Sequence, residues 1–478
     1  MFMKLLSLLI GLCISLVGVS QQNNKSQKQL VHFEFTNSEQ RRAFAESWGS
    51  PTHPTSKQWE TDKPIVITSN TFPIALQEVT PFLSLSCGWN ESITSHQINT
   101  SIAIRFSADG QQWNNWQPLT VDEHSSNSQY QFVSQLLFTE KEHRFYQIQL
   151  TSNLALKGNI LSHLMLNFFN PANGKKLTNG SPDVNTNSPL FAARTTACPC
   201  PQPAFVTRAG WNCPQGATSP SFTTVTHLIV HHSAGSNTSA NWPAVVLSIW
   251  NSHVNTNGWA DIGYNWLIDP NGVLYEGRGG GNNVVGAHFC GFNGATMGTC
   301  MLGTFTTQSL TDTAKKKLVE ILAWKCCNSN LNPLSSAFHA SSGLTINRIS
   351  GHRDGCATEC PGTMTYNDLP NIRTAVNTYI NDRCSVTSVP DIAGVEGLTI
   401  SPNPTNGRFV IALKMNTGKT FRYSLYDATG KIIYTSTPKP TGLLLNEPVT
   451  VLEKHPAGNY VLRIWIDKSD VTRNIVKQ

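Results

Sequence analysis

The sequence predicts three folded parts: an N-terminal β-sandwich, a central α/β domain with a mixed sheet flanked by helices, and a small C-terminal β-sandwich. Three observations carry that reading. At 478 residues the chain is too long for a single hydrophobic core. Charged residues make up only 13% of it while Asn, Ser and Thr are abundant, the balance of an exported, β-rich protein. The hydrophobic pattern also changes twice, from short alternating strands to alternating strand and helix, and back again.

The first twenty residues set the compartment. Met1 to Lys4 is a short basic start, Leu5 to Val19 an apolar run, and Ser20 a small residue ahead of polar Gln21-Gln22-Asn23. That is the layout of a signal peptide over residues 1–20. The apolar run is short for a bilayer span, and Cys13 follows Leu12 where a lipid-modified cysteine follows a small residue, so no stable membrane anchor is expected. The formal net charge of +6 is small for this length and argues against a nucleic-acid footprint.

Residues 21–170 carry short alternating stretches, such as Ile65-Val66-Ile67 and Ile102-Ala103-Ile104-Arg105-Phe106, with little helical periodicity. Asp109-Gly110 reads as a tight turn ahead of Trp113 and Trp116. Those tryptophans read first as sandwich core and rim, and secondly as a platform for stacking sugars. Residues 171–197, polar and without periodicity, read as a linker.

From 198 to 385 strands and helices alternate. Thr226 to His231 is a strand ending at the pair His231-His232. Asn241-Trp242-Pro243 caps and starts a helix with Trp242, Val245, Val246, Ile249 and Trp250 on its apolar face. Asp261 to Ile268 and Val273 to Glu276 are strands joined by the turn Asp269-Pro270-Asn271-Gly272, and Met297 to Phe305 is a further strand. Ser309 to Asp312 has capping-box spacing and opens a long helix whose buried stripe includes Leu318, Ile321, Leu322 and the aliphatic stem of Lys325. Thr345 to Ile349 is a strand and Asp368 to Ile380 the last helix. Residues 396–478 return to β patterning.

The stretch from Gly351 to Gly362 concentrates His352, Cys356, Thr358 and Cys360 within a dozen residues. His352 and Cys360 are too far apart to share one helical turn, whereas a loop folds both onto one metal, with His231 or His232 as the third ligand. Catalytic zinc keeps three protein ligands and an open position, accepts imidazole and thiolate together, and lowers the pKa of bound water to about 7. Tyr264 and Thr358 are the hydroxyl groups able to orient such a water or stabilise an oxyanion. From spacing alone, the same residues also read as a structural histidine and one more disulfide cysteine. With Cys13 lost in the signal peptide and Cys360 kept for metal, ten of the twelve cysteines remain for disulfides. Pairing is not deducible, although Cys290 with Cys300 is a plausible local bridge and Cys356 belongs with the disulfides.

The central part resembles the peptidoglycan recognition proteins and phage-lysozyme-like amidases, the zinc N-acetylmuramoyl-L-alanine amidases. Arg208-Ala209-Gly210-Trp211, Val230 to Ala234, Gly258 to Asn265, Asp269 to Arg278, Gly286-Ala287-His288, Asn293, Gly298, Leu302 to Phe305 and Gly351 to Gly362 carry the likeness in order. The resemblance implies a zinc site of His231, His352 and Cys360, with His232 beside it but outside the metal shell. It implies Tyr264 and Thr358 as catalytic residues, their roles exchangeable, and His288, Asn293 and His232 as substrate-binding candidates. The implied reaction cuts the amide between N-acetylmuramic acid and L-alanine of peptidoglycan; the alternative is a receptor that binds peptidoglycan without cutting it. After Glu276-Gly277-Arg278 the family commonly has Gly-Trp, where this chain has Gly279 to Asn283, so preference among stem peptides does not carry across. The stretch from Ser401-Pro402-Asn403-Pro404 to Lys477-Gln478 resembles the sorting domain of type IX secretion substrates, which implies that secretion machinery as a partner.

Overall fold

The computed structural model describes residues 26–46, 65–76, 83–91, 98–122, 129–139, 142–152, 161–172, 184–185, 200–215, 219–384, 395–415, 418–440, 442–467 and 469–478. The signal-peptide reading, most of the linker reading and Cys198 lie outside these residues. The chain divides into two compact units, Met1–Asn381 and Asp382–Gln478.

The N-terminal part of the first unit holds two antiparallel sheets. One runs in the order Gln27–Glu34, Leu161–Asn170, Leu83–Glu91, Phe132–Val133, with Leu137–Thr139 also paired to Leu83–Glu91. The other runs Ile65–Thr68, Phe145–Ser152, Thr100–Ser107, Gln117–Pro118, with Phe72–Pro73 at Phe145–Ser152. Alternation selects the buried face: Ile102, Ile104 and Phe106 of the second sheet share one core with Leu85, Cys87, Trp89, Leu164 and Phe168 of the first. At the Asp109 turn, Oδ1 accepts the N–H groups of Gln111 and Gln112, 2.8 Å each. Trp113 and Trp116 flank the Arg105 guanidinium, 4.9 and 4.6 Å from the ring centroids.

The same unit contains a seven-stranded mixed sheet. Its strands are β1 (Val184–Asn185), β2 (Phe205–Val206), β3 (His227–His232), β4 (Trp266–Ile268), β5 (Leu274–Glu276), β6 (Thr296–Met301) and β7 (Ile349–Gly351), in the spatial order β1-β2-β5-β4-β6-β3-β7. β3 lies between β6 and β7, parallel to both, and every residue of it is buried. A central parallel strand covered on both faces is expected to be near-continuously apolar, so the histidines at its end stand out. Helices α1 (Trp242–Asn251), α2 (Asp312–Asn328) and α3 (Thr363–Tyr379) accompany the sheet. Asn241 caps α1 by accepting the Ala244 N–H, and a π-helical turn, Ser252–Thr256, continues it. β4 and β5 form the expected hairpin; Gly272 takes the positive φ of 80° that its turn requires.

Several element boundaries differ from the sequence expectation. Asp261 to Asn265 is a buried loop, held by polar contacts such as Arg208 to the Asp261 carboxylate at 3.1 Å, and only Trp266–Ile268 is strand. The cap of α2 is Thr311, whose hydroxyl accepts the Ala314 N–H, so the helix starts after the apparent capping box. α3 begins at Thr363 and carries Pro370 inside it, about five residues earlier than its periodicity suggested. Lys325 is fully buried, its ammonium bonded to the side-chain oxygens of Asn282 and Asn283.

The second unit has its own two antiparallel sheets. One is Val395–Ser401, Phe409–Met415, Leu444–Val449; the other runs Ile432–Thr435, Thr420–Tyr426, Gly458–Ile466, Ser469–Lys477, with Lys439–Pro440 also on Thr420–Tyr426. Ile411 and Leu413 from the first share a core with Phe421, Leu425, Leu462, Ile464 and Ile475 from the second. Among the described residues no helix is long and apolar enough to cross a membrane.

Candidate metal centre

The sheet itself brings two histidines together. Val230 and Gly351 are register partners on the parallel neighbours β3 and β7, so His231 and His352, each the next residue, emerge side by side at the carboxyl end of the sheet. That end of an α/β sheet is where ligands generally bind. Their ring centroids are 4.5 Å apart. Beyond His352 the chain turns back on itself: the Arg353 N–H donates to the Cys360 carbonyl at 3.0 Å, and the Gly351 N–H donates to the Asp354 carboxylate at 2.9 Å. A disulfide between Cys290 and Cys356 ties this loop to the segment after His288. Cys360 thereby returns to β3, and its ligand atom, with those of His231 and His352, lies in a cluster whose members are all within 4.8 Å of one another.

The donor set fits zinc. Cys360 Sγ is 3.7 Å from His231 Nδ1. Tetrahedral zinc with a thiolate at about 2.3 Å and an imidazole at about 2.05 Å would place those two atoms about 3.6 Å apart. The His232 N–H also donates to Cys360 Sγ at 3.2 Å, a hydrogen bond that fixes the direction of the sulfur. The His232 ring accepts the Phe305 N–H at 3.3 Å and is outside the cluster.

His288 and Asn293 are engaged behind the site. His288 is buried, and its Nδ1 lies 3.0 Å from His231 Nε2 while its Nε2 lies 3.2 Å from Thr296 Oγ1. Asn293 Oδ1 accepts the N–H groups of His288 and Phe289, at 2.7 and 2.9 Å. This chain of contacts fixes the His231 ring and its tautomer, the task of partners outside a metal's ligands. It needs Gly298 on β6: a Cβ there would lie 2.6 Å from two ring carbons of His288. The motifs include both His288 and Gly298, but the contact of His288 with His231 and the room that Gly298 leaves for it were not legible, because neither side-chain direction nor cross-strand proximity is written in spacing.

Thr358 Oγ1 accepts the Cys360 N–H at 3.0 Å, which leaves its O–H hydrogen available to a further acceptor. Tyr264 is buried with its ring centroid 5.3 Å from that of His231. Burial pushes its hydroxyl well above its ordinary pKa, and the thiols of Cys300 and Cys360 and the Asp122 carboxylate raise it further. Tyr264 is therefore a neutral hydrogen-bond donor at physiological pH.

The cysteine expectations need correction. Cys290 pairs with Cys356, not with Cys300. Cys300 sits on β6 opposite His231, buried in the core with Leu267 and Tyr275, where a bridge to the surface loop at Cys290 is out of reach. Cys200, Cys327 and Cys384 are also in disulfides, whereas Cys87, Cys213, Cys300 and Cys326 are free thiols. Cys290 and Cys356 lie close to His352, but both sulfurs are consumed by their bridge.

A sheet whose carboxyl end presents two histidines and a cysteine together is the frame of a site able to hold a metal ion. Residues 221–363 match the family described as N-acetylmuramoyl-L-alanine amidase, and residues 399–478 match the secretion system C-terminal sorting domain. Peptidoglycan-recognition protein SC1a of Drosophila melanogaster is 37% identical over 147 residues, covering 30% of this chain and 72% of that protein. Peptidoglycan recognition protein 1 of Bos indicus is 30% identical over 171 residues, 34% of this chain and 80% of that protein. Among solved structures, bumblebee PGRP-SA matches 36% of this chain and 95% of its own at 27% identity, with a TM-score of 0.31. The amidase LysCS of Clostridium intestinale matches 36% and 96% at 22% identity, with a TM-score of 0.29. The chain belongs to the peptidoglycan recognition and N-acetylmuramoyl-L-alanine amidase family. Its sorting domain marks it as a type IX secretion substrate, delivered to the cell surface or the extracellular space.

Proposed function

We propose that this protein is a secreted zinc-dependent N-acetylmuramoyl-L-alanine amidase that hydrolyses the amide between N-acetylmuramic acid and L-alanine in peptidoglycan. The observation that carries the reading is the convergence of His231, His352 and Cys360 within 4.8 Å beside Tyr264. Zinc bound there supplies a Lewis acid and a water acidic enough to act as a nucleophile near neutral pH. His231, oriented by His288, and His352 and Cys360 hold it. Tyr264, neutral and buried, would orient the water or donate a hydrogen bond to the oxygen that gains charge as the amide carbonyl is attacked, and Thr358 would take the other of these two exchangeable roles. His232 stays outside the metal shell, and its backbone N–H donates to the Cys360 sulfur.

We assign the chain to a signal peptide (1–20), a β-sandwich accessory domain (21–170), a linker (171–197), the amidase domain (198–385) and the sorting domain (396–478). Peptidoglycan is the proposed substrate and the type IX machinery the export partner. A second reading, binding without cutting, follows from the names of the relatives, which are recognition proteins. The four-residue set of His231, Tyr264, His352 and Cys360 favours the enzyme. Incubating the full chain with peptidoglycan, with zinc or with a chelator, separates the two. New amino termini in the zinc arm alone support the amidase. Their absence in both arms, in the wild type and in Gln129→Ala chains alike, with peptidoglycan still bound, leaves the receptor.

A further inference from the structure

The N-terminal sheets and the candidate site meet in one place. Asp122, Gln135 and Leu136 from the N-terminal part line the same cavity as Ser233, Ile249, Ser252, His253 and Tyr264 from the central domain, and that cavity measures about 30 Å³. A volume of that size holds a water or two, whereas ligand sites run to roughly 300–1,000 Å³. Next to it, across Ser233, a larger space of about 230 Å³ runs toward Trp242, with Phe138 of the N-terminal part as one wall. Leu136 and Phe138 pack against the core cluster that contains Tyr264, Trp242 and Val245. His231, His352 and Cys360 have no exposed surface, and Tyr264 is 5% exposed.

The contact is latched by polar groups at the π-helical turn after α1. Thr256, fully buried, has its Oγ1 2.6 Å from Ser86 Oγ and accepts the Asn167 amide at 2.9 Å. The Gln129 side-chain amide donates to the Thr256 carbonyl at 3.1 Å, its backbone N–H to the Asn257 carbonyl at 3.3 Å, and Lys28 reaches Asn255 at 2.7 Å. Ser86, Asn167, Gln129 and Lys28 all come from the N-terminal part. Satisfied buried polar contacts of this kind fix one arrangement of two surfaces, because separating them partly leaves each group unpaired.

We infer that the N-terminal sheets are an autoinhibitory cover, latched on the Ser252–Asn257 turn and closing the approach to Tyr264. The inference rests on the amidase reading for its consequence, since a muramyl glycan with its stem peptide does not fit the small space that Asp122, Gln135 and Leu136 leave at Tyr264. Activity then requires the cover to swing away from the Ser252–Asn257 turn.

The test uses the full chain with Thr256→Val or Gln129→Ala, each of which weakens the latch without touching the metal-binding residues. Two quantities are read: hydrogen exchange of backbone amides from Ser252 to Tyr264, and release of new amino termini from soluble muramyl peptides with zinc present. Gln129→Ala guards against misfolding of the buried Thr256 variant, and unchanged exchange across β3 shows that the sheet is intact. The cover predicts that both quantities rise, by roughly tenfold in Thr256→Val, which loses the two buried contacts of its hydroxyl, and by a smaller factor in Gln129→Ala, which loses one. Unchanged exchange in both variants overturns it. So does faster exchange with slower turnover and a raised KM, which would make the N-terminal sheets a wall that holds substrate. Faster exchange in both variants with no new amino termini from any form sinks the amidase reading and leaves the contact between the two parts as observed.

Discussion

Replacing Cys360 by serine should separate metal binding from folding. The thiol is fully buried and receives the His232 N–H at 3.2 Å, so a serine hydroxyl keeps a hydrogen-bond partner. The folding cost is then small, about 1 kcal/mol. The metal cost is large. A hydroxyl is not ionised near neutrality and is a poor zinc donor, leaving two imidazoles from a set of three. Losing even a group that only supports a ligand lowers metal affinity roughly 10–100-fold, so losing a ligand should exceed 100-fold. Zinc per chain after dialysis, melting temperature and release of amino termini form the assay. The expected result is a Cys360→Ser protein that is folded, retains peptidoglycan binding, holds little zinc and turns over at less than about a hundredth of the wild-type rate. Wild-type zinc and turnover in Cys360→Ser, with both lost in Cys356→Ser, would refute the ligand assignment.

Three further outcomes follow from the surroundings of the site. His288→Gln should lower zinc affinity about 10–100-fold with little change in folding, measured by competition with a chelator, because only the support of His231 Nε2 is altered. Gly298→Ala should act on the same contact by a different route: the added methyl forces the His288 ring away, costing about 1–3 kcal/mol of stability and a comparable share of metal affinity in thermal and zinc titrations. Reducing the Cys290–Cys356 bridge, or replacing both residues by serine, opens a loop closed across 66 residues, for which chain entropy suggests about 4 kcal/mol; the central domain should melt earlier and lose zinc. His227 carries the pH prediction. Burial lowers its pKa from 6.5 to about 4, so it is neutral in the fold, and the unfolded chain gains protons first as pH falls. Its contribution is complete above pH 6.5 and is lost progressively down to about pH 4. A His227→Gln protein should show a flatter fall of melting temperature over that window, and an identical fall would remove His227 as the cause.

What was legible in the sequence divides by the distance over which each piece of information acts. The alternation of strands, the hairpin at Asp269 to Gly272 and the apolar face of α1 are local patterns, and the structure contains them. The loop from Gly351 to Gly362 was legible as chemistry because it packs a histidine, a hydroxyl and two thiols into one segment. Its partner His231 was reachable because a strand-ending histidine is conspicuous in an otherwise apolar run. The rest depends on pairing between remote elements. Cys290 and Cys300 are ten positions apart, yet they part company because one lies on a loop and the other on a buried strand. His288 looked like a groove residue from its motif; only the approach of β6, with a glycine where a side chain would intrude, turns its ring toward His231. The cover over Tyr264 is the extreme case, since Gln129, Asn167 and Ser86 carry no local sign that they belong to Thr256. Motifs therefore located the three side chains that converge as the candidate metal cluster, while the groups packed around them come from contacts more than fifty residues apart along the chain.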